Sequence, residues 1–459
     1  MQLSKYNSIV PDYPLPGQHL VYNWLTQAML VADDEVKDVI TGVGQANPCQ
    51  IPEDVERELV AQGILVQDEA EERRHLERWH TQVRKDPKTF KAAVLTTYSC
   101  NFGCPYCVQD GITSRGRLDE ETAEAITNWI IARMRKQESK KLFLNFFGGE
   151  PLLNLQGVLG VAGALSAHCR AAGLDFEGCI TTNASRLDRE TALRLSEVGI
   201  QWAKVTLDGD KDAHDAKRPF KGGKGSFDAI MRNIEEVYDI IGIWIGGNFE
   251  LENMDVAQRV TDELEKRGLA GKLWGVRYGG ISEPAVEGLR RAGDQKLLEI
   301  EGLNGPSEPE APAIVADAGE HIDAQMAAEL LRINREVRQS GMPGRKMLGA
   351  SQCMLNQEDN EVVVDPGGKV YKCPALVGHE DFVVGDIWHD ELDDAHLRMH
   401  DGELADCKEC RWFPPCGGGC RFGSFVETGD IRSRNCNKEY YDRFANEMIK
   451  ADREALQTA

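Results

Sequence analysis

The cysteines place the strongest constraint on this chain, because ten of the thirteen fall into two groups with short internal spacings. The first group is Cys100, Cys104 and Cys107, and the second is Cys353, Cys373, Cys407, Cys410, Cys416, Cys420 and Cys436. The other three, Cys49, Cys169 and Cys179, stand in ordinary surroundings and are expected to be small core residues. In a reducing compartment such spacings predict metal ligands and not disulfides. We therefore expect metal to be bound in two separate regions of the chain.

Composition excludes several classes of protein. A chain of 459 residues with 41% hydrophobic and 28% charged residues is typical of a folded protein with about three domains. No apolar run approaches the roughly 18 residues that span a bilayer, and the N-terminus lacks a signal-peptide pattern, so a cytoplasmic location is expected. With 75 acidic against 53 basic residues, the net charge of -22 disfavours nucleic acid and membrane surfaces as partners.

Residues 1–90 are predicted to form a small α+β module of the winged-helix kind. Apolar stretches at 19–24 and 28–31 suit a hairpin. A short strand is expected at 64–66, and the predicted helices span 33–43, 53–62 and 69–84. Two or three strands with three helices distinguish this module from the region that follows it.

From residue 91 to residue 280 strands alternate with helices, which predicts parallel strands with right-handed crossovers. The predicted strands span 92–97, 141–147, 178–182, 203–207, 243–249 and 273–278, and the helices 119–136, 154–172, 187–198, 226–240 and 254–267. Six units are too few for an eight-stranded barrel, so the expected fold class is α/β with a partial (β/α)6 barrel. Residues 281–344 are predicted to be an insertion or linker with a bridging helix at 323–339. Residues 345–459 are predicted to be a loop-rich region wrapped around metal, with a final helix at 437–456.

The first cysteine group lies in a loop after a predicted strand, with the spacing C-x3-C-x2-C. Three thiolates can hold three irons of a [4Fe–4S] cluster and leave the fourth iron open to a small molecule. A zinc site completed by a distant residue is the alternative. The segment resembles the signature loop of radical S-adenosylmethionine (radical SAM) enzymes. The resemblance implies that Cys100, Cys104 and Cys107 hold the catalytic cluster, which binds S-adenosylmethionine and cleaves it to a 5′-deoxyadenosyl radical.

Other segments resemble cofactor-binding motifs of the same family. The resemblance places an aromatic residue near the adenine, a GGEP segment at the amino group, a Thr-Asn pair near the ribose, and an arginine at the methionyl carboxylate. A T-x-D-G segment stands where peptide-modifying members keep S-x-D-G. The residues so assigned are Tyr106, Gly148, Gly149, Glu150, Thr182, Asn183, Thr206, Asp208 and Arg218. For Tyr106 and Arg218, loop packing and an exposed surface position are the respective alternatives.

The second cysteine group resembles the seven-cysteine SPASM domain, in which family members hold two auxiliary [4Fe–4S] clusters. A pair of zinc ribbons is the alternative. By resemblance, Cys407, Cys410, Cys416 and Cys436 ligate an outer cluster, and Cys353, Cys373 and Cys420 hold an inner cluster with one iron lacking a cysteine.

The inner set departs from sulfatase-maturing relatives, which supply an eighth cysteine a few residues after the first. Glu358, Asp359, a water or a substrate thiolate could fill that position. Those relatives also keep a catalytic Asp where this chain has Pro374, which argues against formylglycine formation.

These resemblances imply a radical SAM maturase that modifies a ribosomally made precursor peptide through a thioether or carbon–carbon crosslink. The N-terminal module is expected to hold a leader peptide by adding it to a sheet edge. A flavodoxin or ferredoxin is expected as reductant. Maturation of another protein and small-molecule dehydrogenation are the alternatives within enzymes. A non-catalytic iron–sulfur electron carrier is the alternative outside them, and the GGEP and T-x-D-G segments argue against it.

Overall fold

The computed structural model describes residues 1–43, 52–84, 88–107, 109, 116–249, 255–280, 324–339, 348, 353–356, 360–389, 391–399 and 402–458. Apart from its helix at 324–339, the predicted linker lies outside these ranges. Cys49, Glu358 and Asp359 lie outside them as well.

The N-terminal module contains a three-stranded antiparallel sheet and three helices. Its strands are β1 (Gln2–Leu3), β2 (Asn7–Val10), β3 (Gln18–Asn23), β4 (Met29–Asp33) and β5 (Leu65–Val66), and its helices are α1 (Asp34–Gly42), α2 (Glu53–Ala61) and α3 (Glu69–Arg84). The sheet order is β2-β3-β4, and β1 pairs with β5. The predicted hairpin and the three predicted helices are confirmed. The sequence analysis missed β1 and β2, which are both short. Strand β1 pairs with β5, which is distant in the chain, and β2 pairs with β3 across a long turn.

Six parallel strands form the centre of the molecule, in sequence order from β6 to β11. They are β6 (Thr89–Leu95), β7 (Lys141–Phe147), β8 (Asp175–Thr182), β9 (Ile200–Thr206), β10 (Gly242–Phe249) and β11 (Gly275–Gly280). The helices between them are α4 (Glu120–Lys136), α5 (Leu155–Ala172), α6 (Arg189–Glu197), α7 (Lys211–Lys217), α8 (Phe227–Val237) and α9 (Val256–Lys266). The predicted partial (β/α)6 barrel is confirmed, with α7 as an additional helix.

The barrel sheet continues into the C-terminal region, which the sequence analysis expected to consist of loops. Here β12 (Glu361–Val364) pairs in parallel with β6, and the short strands β13 (Lys369–Tyr371) and β14 (Gly385–Asp386) extend the sheet. Three consecutive valines in β12 are at most 1% exposed, so they extend the barrel core. The remaining helices are α10 (Ala324–Gln339), α11 (Ala405–Glu409), α12 (Phe413–Cys416), α13 (Arg421–Thr428) and α14 (Lys438–Thr458).

The N-terminal module shares an apolar core with the C-terminal region. Trp24 is 1% exposed, and its ring packs edge-on against Trp412 at 5.6 Å and Tyr441 at 6.2 Å between centroids. Trp412 and Tyr441 stack on each other at 5.7 Å. Because these rings are buried together, the two regions fold against each other although they lie at opposite ends of the chain.

One helix, Pro151–Ala172, is long and apolar enough to cross a membrane by length and composition alone. It connects β7 and β8 of the barrel, and half of its most apolar window is buried inside the molecule. Its apolar character therefore matches its position as a core helix.

We expect Trp24→Ala to lower the free energy of unfolding by about 3 kcal/mol, because it leaves a cavity between the two regions. Denaturant unfolding followed by circular dichroism would measure this. Trp388, which is 54% exposed, provides the matched control, since Trp388→Ala should change stability by less than about 0.5 kcal/mol. Equal effects of the two substitutions would contradict the shared core.

Candidate functional site

The first cysteine group lies in the loop that follows β6. Cys100 and Cys104 are half-buried and Cys107 is exposed. Burial raises the pKa of Cys104 to about 11, and the Arg218 guanidinium opposes the increase. Cys107 N donates to Cys104 O at 3.2 Å, so the loop turns tightly between these two cysteines. The loop is anchored by the N–H of Gly103, which donates to Pro219 O at 2.9 Å. Among the described residues, no three His, Cys, Asp or Glu side chains are placed as the ligands of one metal ion.

The two glycines after β7 allow the backbone to lie directly against the cysteine loop. Gly149 N donates to Thr97 O at 3.0 Å, and Glu150 N donates to Ser99 O at 2.9 Å. A Cβ on Gly149 would stand 2.2 Å from Ser99 O, which no side chain can adopt. The two glycines therefore allow the backbone of the cysteine loop to approach them closely. That the cofactor also approaches these glycines stays a prediction.

Glu150 is fully buried and joins the ends of two strands. Its carboxylate accepts hydrogen bonds from Thr182 Oγ1 at 2.6 Å, Asn183 N at 2.7 Å and Leu152 N at 2.9 Å. Burial raises its pKa, and these donors oppose that increase. The predicted residues Glu150, Thr182 and Asn183 are therefore brought together, with the carboxylate bonded inside the protein.

Tyr106, Asp208 and Arg218 form a second bonded group beside the cysteine loop. The Tyr106 hydroxyl donates to Asp208, and Arg218 Nη1 donates to the Tyr106 hydroxyl at 2.7 Å and lies 3.6 Å from Asp208 Oδ2. Burial raises the pKa of Tyr106 well above its usual range, so the phenol stays protonated. Arg218 is not the exposed surface residue of the alternative reading, since its side chain is only 15% exposed.

The sequence analysis did not assign the residues that support Asp208. Asn248 N donates to Asp208 Oδ1 at 2.8 Å from the end of β10, and His214 Nδ1 accepts from Asp208 N at 3.2 Å. Burial lowers the pKa of His214 to about 4, so the imidazole is neutral. Thr206 is half-buried at the end of β9, two residues before Asp208. Asn248 lies at the carboxyl end of a barrel strand, where site residues of such barrels are expected, and that position could have identified it from the sequence.

Four cysteines of the second group line one cavity of about 750 Å³. They are the four assigned to the outer cluster, Cys407, Cys410, Cys416 and Cys436. Burial raises the pKa of Cys416 to about 11, and the thiols of Cys407 and Cys436 contribute to the increase. Four thiols that face one space form a donor set for a thiolate-bound cluster, because metal binding would remove their protons.

Two cysteines of the inner set, Cys353 and Cys373, pack against the barrel core. Burial raises the pKa of Cys373 to about 12, and the nearby thiol of Cys353 contributes to the increase. Burial also raises the pKa of Cys353, and the backbone N–H of Arg421 opposes that increase. That these two thiols join Cys420 in one cluster stays a prediction.

A hydrogen bond connects the first cysteine loop with the inner set. Tyr98 Oη donates to Asp365 Oδ2 at 2.8 Å. Tyr98 stands two residues before Cys100, and Asp365 stands in the turn between β12 and β13. The bond therefore fixes the loop against the hairpin that leads to Cys373.

Comparison with known proteins agrees with this geometry. Residues 94–248 match the sequence model of the Radical SAM superfamily. The chain carries a radical SAM domain. The match implies a [4Fe–4S] cluster and S-adenosylmethionine for the cysteine loop.

The curated relatives match part of the chain. Fe-coproporphyrin III synthase of Methanosarcina barkeri is 29% identical over 189 residues, which is 40% of this chain and 43% of that protein. GTP 3',8-cyclase of Rhodopseudomonas palustris is 34% identical over 115 residues, or 25% of this chain and 32% of that protein. The chain therefore spans less than half the length of the curated relatives it matches.

Among solved structures, native anSMEcpe with bound AdoMet and Kp18Cys peptide aligns with a TM-score of 0.57 and 18% identity. The alignment covers 79% of this chain and 99% of that one. At this identity the likeness establishes the fold.

We expect Gly149→Ala to weaken S-adenosylmethionine binding by about tenfold or more, because a Cβ would displace the cysteine loop. Equilibrium dialysis with the reconstituted protein would measure the affinity. Gly160→Ala serves as the control, since a Cβ there meets nothing within 4 Å and favours the helix. Wild-type affinity of the Gly149 variant would contradict this role of the contact.

Proposed function

We propose that this protein is a radical SAM maturase that carries two auxiliary [4Fe–4S] clusters and modifies a peptide. The observation that supports the proposal is the cavity lined by four cysteines of the second group, together with the Tyr98–Asp365 bond that joins the first cysteine loop to the hairpin before Cys373. A simple electron carrier would not require a radical SAM domain beside these cysteines.

Cys100, Cys104 and Cys107 would hold the first cluster, which when bound supplies the electron that cleaves S-adenosylmethionine to a 5′-deoxyadenosyl radical. Tyr106, Asp208 and Arg218 keep the loop in place, since each is bonded to the next. Arg218 Nε is buried without a hydrogen-bond partner among the described residues, so a donor remains for an anionic group such as the methionyl carboxylate. Glu150 holds the ends of β7 and β8 at a fixed separation through its three hydrogen bonds.

The half-buried face of the barrel strands combines polar side chains with aromatic rings such as that of Phe143. Along β7 and β9 fully buried apolar residues alternate with half-buried ones. The half-buried positions include Asn145, Thr181, Lys204 and Thr206, and Thr181 Oγ1 donates to Asn145 Oδ1 at 3.4 Å. A partly polar and partly open face suits a substrate with backbone amides or other polar groups.

Peptide recognition is assigned to the edge of the N-terminal sheet. Asn23 N donates to Ala28 O at 2.9 Å across the β3–β4 turn, so alternate residues of β4 bond to β3. Val31 belongs to the non-bonded set, and its N–H and C=O point to the open side of β4. These groups can pair with an added peptide strand.

A small-molecule radical reaction is the second candidate. It is favoured by the curated relatives, a coproporphyrin synthase and a GTP cyclase, although they match at most 40% of this chain. Formylglycine formation is disfavoured, because Pro374 stands after Cys373 where that reaction uses an acid.

We expect anaerobic reconstitution to give about twelve irons per chain, from three four-iron clusters. Replacing Cys100, Cys104 and Cys107 together by Ala should remove about four irons and all S-adenosylmethionine cleavage. Iron analysis and product chromatography would measure both. Cys169→Ala, outside the three sets, should keep the full iron content. Four irons with stoichiometric zinc would contradict the auxiliary clusters.

We expect Val31→Pro to weaken leader-peptide binding by about tenfold or more, because proline removes an outward N–H without breaking a bond to β3. The probe is the leader segment of a peptide encoded beside the gene, and fluorescence anisotropy gives its Kd. Val31→Ala keeps the N–H and should bind within about twofold of wild type. Point variants are preferable to deleting residues 1–90, since deletion would expose the core shared with Trp412 and Tyr441. Unchanged affinity of a folded Val31→Pro variant would exclude this edge.

A further inference from the structure

The hairpin of β12 and β13 places an acidic side chain opposite one of the inner cysteines. Its register pairs Val364 with Val370 and Val363 with Tyr371. The backbone is still extended at Cys373, with φ −146° and ψ 133°. Two residues further along, the same register sets Glu361 opposite Cys373. Directly opposed residues of an antiparallel pair lie on one face with Cβ atoms about 4.5–5.5 Å apart.

This face of the hairpin is turned toward the radical SAM loop. Glu361 and Asp365 lie on one face of β12, and Tyr371 and Cys373 lie on the same face of the partner strand. Asp365 accepts the hydrogen bond from Tyr98. The register of the hairpin therefore places the Glu361 carboxylate beside one of the three inner thiols, that of Cys373.

The Glu361 carboxylate is sheltered but only loosely paired. Its side chain is 15% exposed, and its one ion pair joins Oε2 to Lys91 Nζ at 3.5 Å. Lys91 is its partner in the parallel register of β6 and β12. Within the described part of the chain, no hydrogen bond to Oε1 is found, so this oxygen is available for a further interaction.

We propose that Glu361 supplies the oxygen ligand of the inner-cluster iron that has no cysteine. This proposal rests on the proposed function, in which the protein carries one radical SAM cluster and two auxiliary clusters. It names the side chain that completes the ligands of the inner auxiliary cluster. Lys91 steadies one carboxylate oxygen while the other binds the iron. Because iron–sulfur clusters favour soft thiolates over carboxylates, this ligand can give way to a substrate thiol.

Mössbauer spectroscopy of peptide-free protein reconstituted with 57Fe tests this assignment. In the wild type, about two irons in twelve should show the higher isomer shift of a site without a cysteine ligand, one being the open iron of the first cluster and the other the iron bound by Glu361. Glu361→Cys should remove the second of these sites by supplying a thiolate and leave the first. Glu361→Gln should lose the iron of the second site, lowering the content to about eleven, and give the electron paramagnetic resonance signal of a three-iron cluster on oxidation.

The matched control is Glu380→Gln, which removes an exposed carboxylate that pairs with Lys369 on the same hairpin. It should leave the iron content and spectra unchanged. Twelve irons with the same number of distinct sites in wild type, Glu361→Gln and Glu361→Cys would overturn the ligand assignment alone. A wild type whose only distinct iron is that of the first cluster would overturn it as well. About four irons in the wild type would overturn the three-cluster function and this proposal together.

Discussion

The parallel pairing of β6 with β12 determines where the chemistry of this molecule can occur. Strand β6 leads into the first cysteine loop, and β12 leads through a tight turn to Cys373. Four registered pairs, from Glu361 with Lys91 to Val364 with Val94, hold the two segments side by side although about 270 residues separate them in sequence. The Tyr98–Asp365 bond and the position of the inner cysteines follow from this pairing.

Charge inside the site is arranged independently of the net charge of the chain. The chain is strongly acidic, yet the two buried carboxylates of the site, Asp208 and Glu150, are matched by specific donors. Asp208 receives a phenol, an arginine and a backbone N–H, while Glu150 receives a hydroxyl and two backbone N–H groups. Buried charges of this kind are tolerated because neighbouring dipoles replace water.

Local patterns in the sequence predicted much of the fold and the site. Helix α3 has the bounds that its charge and apolar periodicity indicated, and the barrel strands lie within a few residues of their predictions. The short strand β12 was missed because four residues carry little periodicity and its partner is distant in sequence. Motif resemblance found Tyr106, Asp208 and Arg218. It could not show that they bond to one another, and it did not find Glu361, whose importance depends on register across the hairpin.

The packing of Trp24 against Trp412 and Tyr441 bears on how such proteins can diversify. A module that was connected by a flexible tether could be exchanged between related proteins on its own. Here an exchange would leave two large rings of the C-terminal region facing a foreign surface. A chimaera with a different N-terminal module must therefore transfer the C-terminal aromatic surface together with it, so the two ends of the chain are constrained to evolve as a unit.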